Sequence, residues 1–199
     1  DPELTLSLPL NFSITSGLNA IAHAAEGLYA KEGNPITKIM AIEGLKALRN
    51  ALPEIVKNPF NIDSRSTALY GAWLCGSVLG NVGMALHHKL CHVLGGSFDL
   101  PHAETHAILL PHTIAYNAIS EAKRLSPLKE IFGDNPGQAL YKFCNSLKAP
   151  IALRDLGLNE EDLDLASDIA IKNPYWNPRE FNRDSIRKIF QNAWEGKCP

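Results

Sequence analysis

The sequence predicts an all-α bundle of about eight or nine helices, on three observations. Apolar residues recur at helical spacing, as Ile39, Ile42, Leu45 and Leu48 do. No alternating apolar and polar run of useful strand length occurs apart from Leu4 to Leu10. Pro and Gly mark the ends of the apolar-periodic stretches.

Taken in order, Ser16-Gly17 opens a helix that carries Asn19, His23 and Glu26. Asn34-Pro35 starts a second, Ile36 to Leu52, which Pro53 is expected to break before the Asn58-Pro59 turn. Arg65 to about Leu94 reads as one long buried helix with a break near Gly80 or Gly83, stopped by Gly95-Gly96. A loop from Ser97 to Pro101 leads into a helix from about His102 to Leu110, interrupted at Pro111. Shorter helices follow, bounded by Pro136-Gly137, Pro150 and Gly157. Asn159 to Ile171 has its anions in the first turn, Asn173 to Pro178 is a turn, and Asp184 to Trp194 is the last helix.

The chain has 199 residues, 45% hydrophobic and 20% charged, with a net charge of −2. That is the balance of a globular protein with a substantial core. No Lys/Arg block suggests nucleic acid or an anionic membrane as partner. Cys75, Cys91, Cys144 and Cys198 are scattered and form no CxxC, which points to a reducing, cytoplasmic compartment. Ala68 to Leu86 is uncharged like a membrane span, but its Gly71, Gly76, Gly80 and Gly83 suit a tightly packed interior helix. The opening Asp1-Pro2-Glu3-Leu4 reads as mid-protein sequence, so residues 1–199 are expected to be one all-helical domain of a longer protein. No Gly-rich dinucleotide fingerprint follows a strand, so a nucleotide-binding half is expected elsewhere.

Six of the seven histidines lie between His87 and His112, and the seventh is His23. His88 and His92 share a helix face at i, i+4, as do His102 and His106, and Asn19 and His23. Two such pairs on facing helices can build a site in a bundle core. His112 reads as an ordinary core histidine. His23, His88, His92 and His102 read either as core residues or as a site. Three imidazoles with one oxygen ligand would suit Zn²⁺ or Fe²⁺.

The stretches Gly17 to Glu26, His88 to Gly96, Pro101-His102 and Ala107 to His112 resemble the iron-containing alcohol dehydrogenases. The resemblance spans the whole chain. It implies the helical C-terminal domain of a dehydroquinate synthase-like fold, paired with an N-terminal nucleotide-binding domain in a homodimer. It also implies metal ligands at Asn19, His23, His88 and His102, and a further active-site histidine at His92. That family carries Asp where this chain has Asn19. Ala85 to His92, Pro101 to Ala107, Asn173-Pro174-Tyr175 and Asn177-Pro178-Arg179 are similar to the family's maleylacetate reductase branch.

The branch implies reduction of maleylacetate to 3-oxoadipate by NADH or NADPH in aromatic catabolism, with the nicotinamide between the two domains. Hydride addition beside a ketone leaves an enolate, so His92 is the expected proton donor or electrophile, supported by His23, His88 and His102. Asn19, His87, Lys89 and His106 are the expected substrate-binding residues, the last three as cationic partners for carboxylates. Without an anionic ligand, the site is expected to work without a metal. The alternatives are a metal-dependent alcohol or polyol dehydrogenase and a non-enzymatic helical metal-binding or interaction module. The helical chain alone is expected to be inactive.

Overall fold

The computed structural model describes residues 1–173 and 175–199. Among these it contains nine α-helices, two short 3-10 turns and no strand. The strand-like Leu4 to Leu10 is a 3-10 turn over Pro2–Thr5 running into α1 (Leu10–Gly27). Helix α1 therefore starts well before Ser16-Gly17, and Asn19 lies in its interior rather than at its start.

Helices α2 (Pro35–Lys57) and α3 (Ile62–Asn81) begin on Asn34 and Asn61, whose side chains accept backbone N–H bonds of the first turn. The expected break at Pro53 does not occur. Pro53 costs α2 one hydrogen bond, but Leu48, Ala51, Leu52 and Ile55 are buried around it and hold the helix on course. Helices α2 and α3 cross closely at Gly44 and Gly71. A Cβ on Gly44 would stand 2.7 Å from Cys75 Sγ, and one on Gly71 2.8 Å from Leu48 Cγ.

The long helix expected from Arg65 to Leu94 is two helices, α3 and α4 (Leu86–Phe98), meeting at 95°. Val82 to Ala85 form the break, near Gly83 as expected. No single described helix is long and apolar enough to cross a membrane. Nor is α3 an interior helix throughout, since it leaves Leu69, Tyr70, Trp73 and Leu79 exposed. Gly95-Gly96 does not end α4. The stop comes at Asp99, in the left-handed conformation with φ 55°. Helix α5 (His102–Glu121) follows, so three residues make the reversal. It runs straight through Pro111.

Helices α6 (Ser126–Phe132), α7 (Pro136–Ser146), α8 (Asp162–Lys172) and α9 (Arg183–Glu195) complete the chain. Helix α8 starts at Asp162 rather than Asn159. Pro174 of the expected Asn173–Pro178 turn lies outside the described residues. Two hydrophobic cores result. One gathers α1, α2, α3 and α7 around Leu18, Ile21, Leu45, Cys75 and Leu140. The other gathers α4, α8 and α9 around Leu90, Leu94, Leu163, Ile186 and Phe190. Helix α5 belongs to both, through Ala107, Leu110 and Ile114 on one side and Ile108 and Leu109 on the other. The histidines collect where α1, α4 and α5 meet.

Candidate active site

Glu26 organises the site. It is fully buried near the end of α1, and its carboxylate caps the start of α4. The backbone N–H groups of Ala85, His87 and His88 donate to it at 3.1, 2.9 and 3.3 Å. A helix N-terminus favours an anion there. Tyr29 donates its hydroxyl to Glu26 Oε1 at 3.0 Å, and His88 Nδ1 lies 2.6 Å from Oε2. Burial alone would raise the Glu26 carboxyl, but the bond to His88 and the backbone donors outweigh it and hold the carboxyl below its usual range. The network continues outward: Asn117 Nδ2 donates to Tyr29 Oη and to Asn177 Oδ1, and Asn177 donates back to Asn117 Oδ1.

Around Glu26 the imidazoles converge. Ring centroids lie 5.1 Å apart for His23 and His88, 6.1 Å for His88 and His92, 4.9 Å for His88 and His106, and 4.4 Å for His102 and His106. His88 and His106 are the buried floor, His23 is half-buried, and His92 and His102 stand exposed at the rim, 6.3 Å apart and nearly parallel. His112 is buried away from this group, a core residue as expected.

Hydrogen bonds fix several ring protons. Thr113 donates its hydroxyl to Leu109 O at 3.0 Å, so its oxygen accepts from His87 Nδ1, also at 3.0 Å. His87 Nε2 is then a bare lone pair and accepts from His106 Nδ1 at 2.9 Å. That leaves His106 Nε2 unprotonated, buried and without a partner. His88 Nε2 and Asn19 Oδ1 are buried and unpartnered too. Each such group should find a partner, since burying it bare costs about 1–3 kcal/mol.

Charge follows burial. His23 is pushed down to about 4, by desolvation first and then by His88 and His102. His106 is pushed down to about 2 by desolvation and the surrounding imidazoles, and His87 and His92 are lowered for the same reasons. This corrects the expectation of cationic His87 and His106. Both are neutral and fully buried, and His87 has both ring nitrogens engaged behind the cage. Lys89 stands beside the site, its Nζ 5.4 Å from the centre of the Tyr175 ring.

Of the residues that the resemblance implies as ligands, His88 is prepared for a metal ion. His88 shows the usual arrangement of a metal-binding histidine, one nitrogen on a carboxylate and the other free. The resemblance implies Asn19, His23, His88 and His102 as the residues that would hold the ion, but His23, His88 and His102 do not bring ligand atoms within 4.8 Å of one another. Asn19 does remove an anionic ligand, but Glu26 keeps a buried negative charge directly behind His88. Among the described residues one compact group, His87, Cys91 and His106, brings ligand atoms within 4.8 Å of one another. Its two nitrogens already share a hydrogen bond, and burial pushes the Cys91 thiol well up, so it stays protonated.

The chain belongs to the Fe-containing alcohol dehydrogenase family: residues 13–194 match the model of that family's C-terminal domain. Within the family its likeness is to maleylacetate reductases. It is 56% identical over its whole length to the maleylacetate reductase of Rhizobium sp. strain MTP-10005, covering 57% of that protein. The crystal structure of maleylacetate reductase from Agrobacterium tumefaciens superposes with a TM-score of 0.99 at 56% identity, over all of this chain and 57% of that one. An iron-containing alcohol dehydrogenase from Corynebacterium glutamicum matches at 39% identity and TM-score 0.92, over 97% of this chain and 55% of that one. The chain thus spans little more than half the length of these relatives.

Sequence reasoning named the histidines but missed Glu26, Tyr29, Thr113 and Asn117. Glu26 had a visible signal: it is a charged residue in the apolar stretch Ala20 to Leu28, on a helix face shared with His23. Thr113 and Asn117 carried none, because both act through the tertiary meeting of α4 and α5.

Proposed function

We propose that this chain is the substrate-binding half of an NADH- or NADPH-dependent reductase that converts maleylacetate to 3-oxoadipate in the cytoplasm. The observation that carries this reading is the cage of converging imidazoles anchored on Glu26, in a chain so similar to maleylacetate reductases. The missing partner is an N-terminal nucleotide-binding domain, and the whole protein is read as a homodimer. The nicotinamide lies between the two domains, facing the rim histidines. Residues 1–199 on their own are then a folded but inactive domain.

Hydride leaves C4 of the nicotinamide and adds to the alkene carbon β to the ketone. The C=C electron pair moves to form an enolate, and a proton then reaches the α carbon, giving 3-oxoadipate and the oxidised cofactor. His92 stands exposed at the rim, where it can donate to the enolate oxygen or deliver the proton. His23 and His102 orient the ketone, and Lys89 meets a substrate carboxylate. A neutral imidazole can serve as electrophile, so lowered histidine pKa values do not oppose this role. A divalent ion, when bound by Asn19, His23, His88 and His102, would polarise the same oxygen. The expectation that no metal is needed rests on Asn19 alone, and the free His88 Nε2 with Glu26 behind it argues for a site that accepts one.

The test is product analysis with the full-length protein and cofactor deuterated at C4. Deuterium in 3-oxoadipate, at the former β carbon, supports the reading. Oxidation of simple alcohols without maleylacetate turnover would replace it with the metal-dependent alcohol dehydrogenase reading.

A further inference from the structure

We propose that the cavity beside Arg65, where the 3-10 turn at Pro2–Thr5 meets α1, α2 and α3, is a binding site for a small monocarboxylate with a short apolar tail. The cavity shares no residue with the histidine cage, and its ligand does not depend on how that cage is read.

Arg65 carries the argument. It is only 3% exposed, and a guanidinium keeps its charge in a protein. Its Nε donates to Pro59 O at 2.9 Å and its Nη1 to Ser13 Oγ at 2.8 Å. Both acceptors are neutral, so neither balances the charge. Nη2 is buried and without a partner. Burial lowers the pKa of the group, and no carboxylate among the described residues offsets that. A buried cation held in this way is costly, and an anion on Nη2 would relieve it. The cavity that Arg65 lines supplies the room, about 120 Å³. Its other walls are mostly apolar, from Leu8, Leu48, Leu52, Ile55 and Ala72. One cation in an apolar chamber fits a single carboxylate on a hydrocarbon tail. A phosphate or a dicarboxylate would press further charge against leucine side chains. A cavity of roughly 150 Å³ holds a benzene ring, so a ligand of about six heavy atoms, the size of butyrate, suits this one. The half-buried Leu8 and the exposed Leu69 put its mouth at the surface.

The experiment uses the full-length protein with its Leu and Ile methyl groups labelled for NMR, and butyrate as the probe. Butyrate should shift the Leu52 and Ile55 methyl resonances saturably, with a Kd of about 1 mM. Butylamine has a tail of the same length and the opposite charge, and should bind at least about tenfold more weakly. Ala72→Phe fills the cavity while leaving both guanidinium hydrogen bonds in place, and should abolish the shifts. Equal shifts with butylamine would reduce the site to an apolar hole and overturn the proposal. Butyrate shifts confined to methyl groups around the histidine cage would overturn it too. So would the absence of any shift at Leu52 and Ile55, whether water or a carboxylate from the preceding part of the chain holds Nη2. Should Ala72→Phe fail to fold, the comparison of the two probes on the wild type decides.

Discussion

At the scale of single residues, Glu26 holds more of the site than any histidine does. It is a buried carboxylate with three backbone donors, a tyrosine and an imidazole around it. Glu26→Gln turns one acceptor oxygen into a donor and leaves several of those groups unmatched. The expected cost is about 3–5 kcal/mol, read by denaturant unfolding, together with weaker metal binding because His88 loses its anion. Asn19→Asp should act in the opposite direction on the metal, raising Co²⁺ affinity. It should also raise KM for a dianionic substrate, since it adds a negative charge beside the substrate's own; steady-state kinetics of the full-length protein would show this. The histidines were legible because their i, i+4 spacing survives in one dimension. Their charge state was not, because it depends on burial among other imidazoles, which only the meeting of three helices creates. The sequence suggested cations at His87 and His106, and the fold makes both neutral.

At the scale of elements, the boundaries missed were those at proline and glycine. Pro53 and Pro111 both lie inside helices, since the buried residues on either side outweigh one lost hydrogen bond. Gly95-Gly96 looked like a stop, yet α4 runs on to Phe98 and ends on Asp99 at φ 55°. A non-glycine residue there carries backbone strain of about 1–2 kcal/mol. Asp99→Gly should relieve it and raise stability by about 0.5–1 kcal/mol, a gain visible in thermal unfolding. The α2–α3 crossing points the other way. Gly44→Val would drive methyl groups into Cys75 Sγ and Gly71 O, and should destabilise by about 1–3 kcal/mol or more. The helices themselves were legible from their apolar periodicity. The 95° bend between α3 and α4 was not, because it is set by Glu26 capping α4 from another helix.

At the scale of the whole molecule, the two cores meet along α5, and the cage occupies the seam. Acid should open that seam. His23, His106 and His112 have folded pKa values of about 4, 2 and 4, below the ordinary value of 6.5, and His87 is also depressed. The unfolded chain therefore binds more protons below pH 6.5. Stability is full above that pH and falls progressively as pH drops toward the folded values. Between pH 7 and 5.5 each depressed histidine should cost about 1 kcal/mol. A bound metal would deepen the dependence, since protons compete for the same nitrogens. Melting temperatures across this range would show the decline, and a flat profile would contradict the buried neutral cage.

The most direct test of the central claim compares kcat/KM for maleylacetate with that for a short aldehyde, in the full-length protein and in its His88→Ala variant. The account predicts that maleylacetate is preferred by at least about a hundredfold. It also predicts that the variant loses most of that turnover while its helical circular dichroism is unchanged. Equal or greater efficiency with the aldehyde, or full maleylacetate turnover without His88, would contradict it.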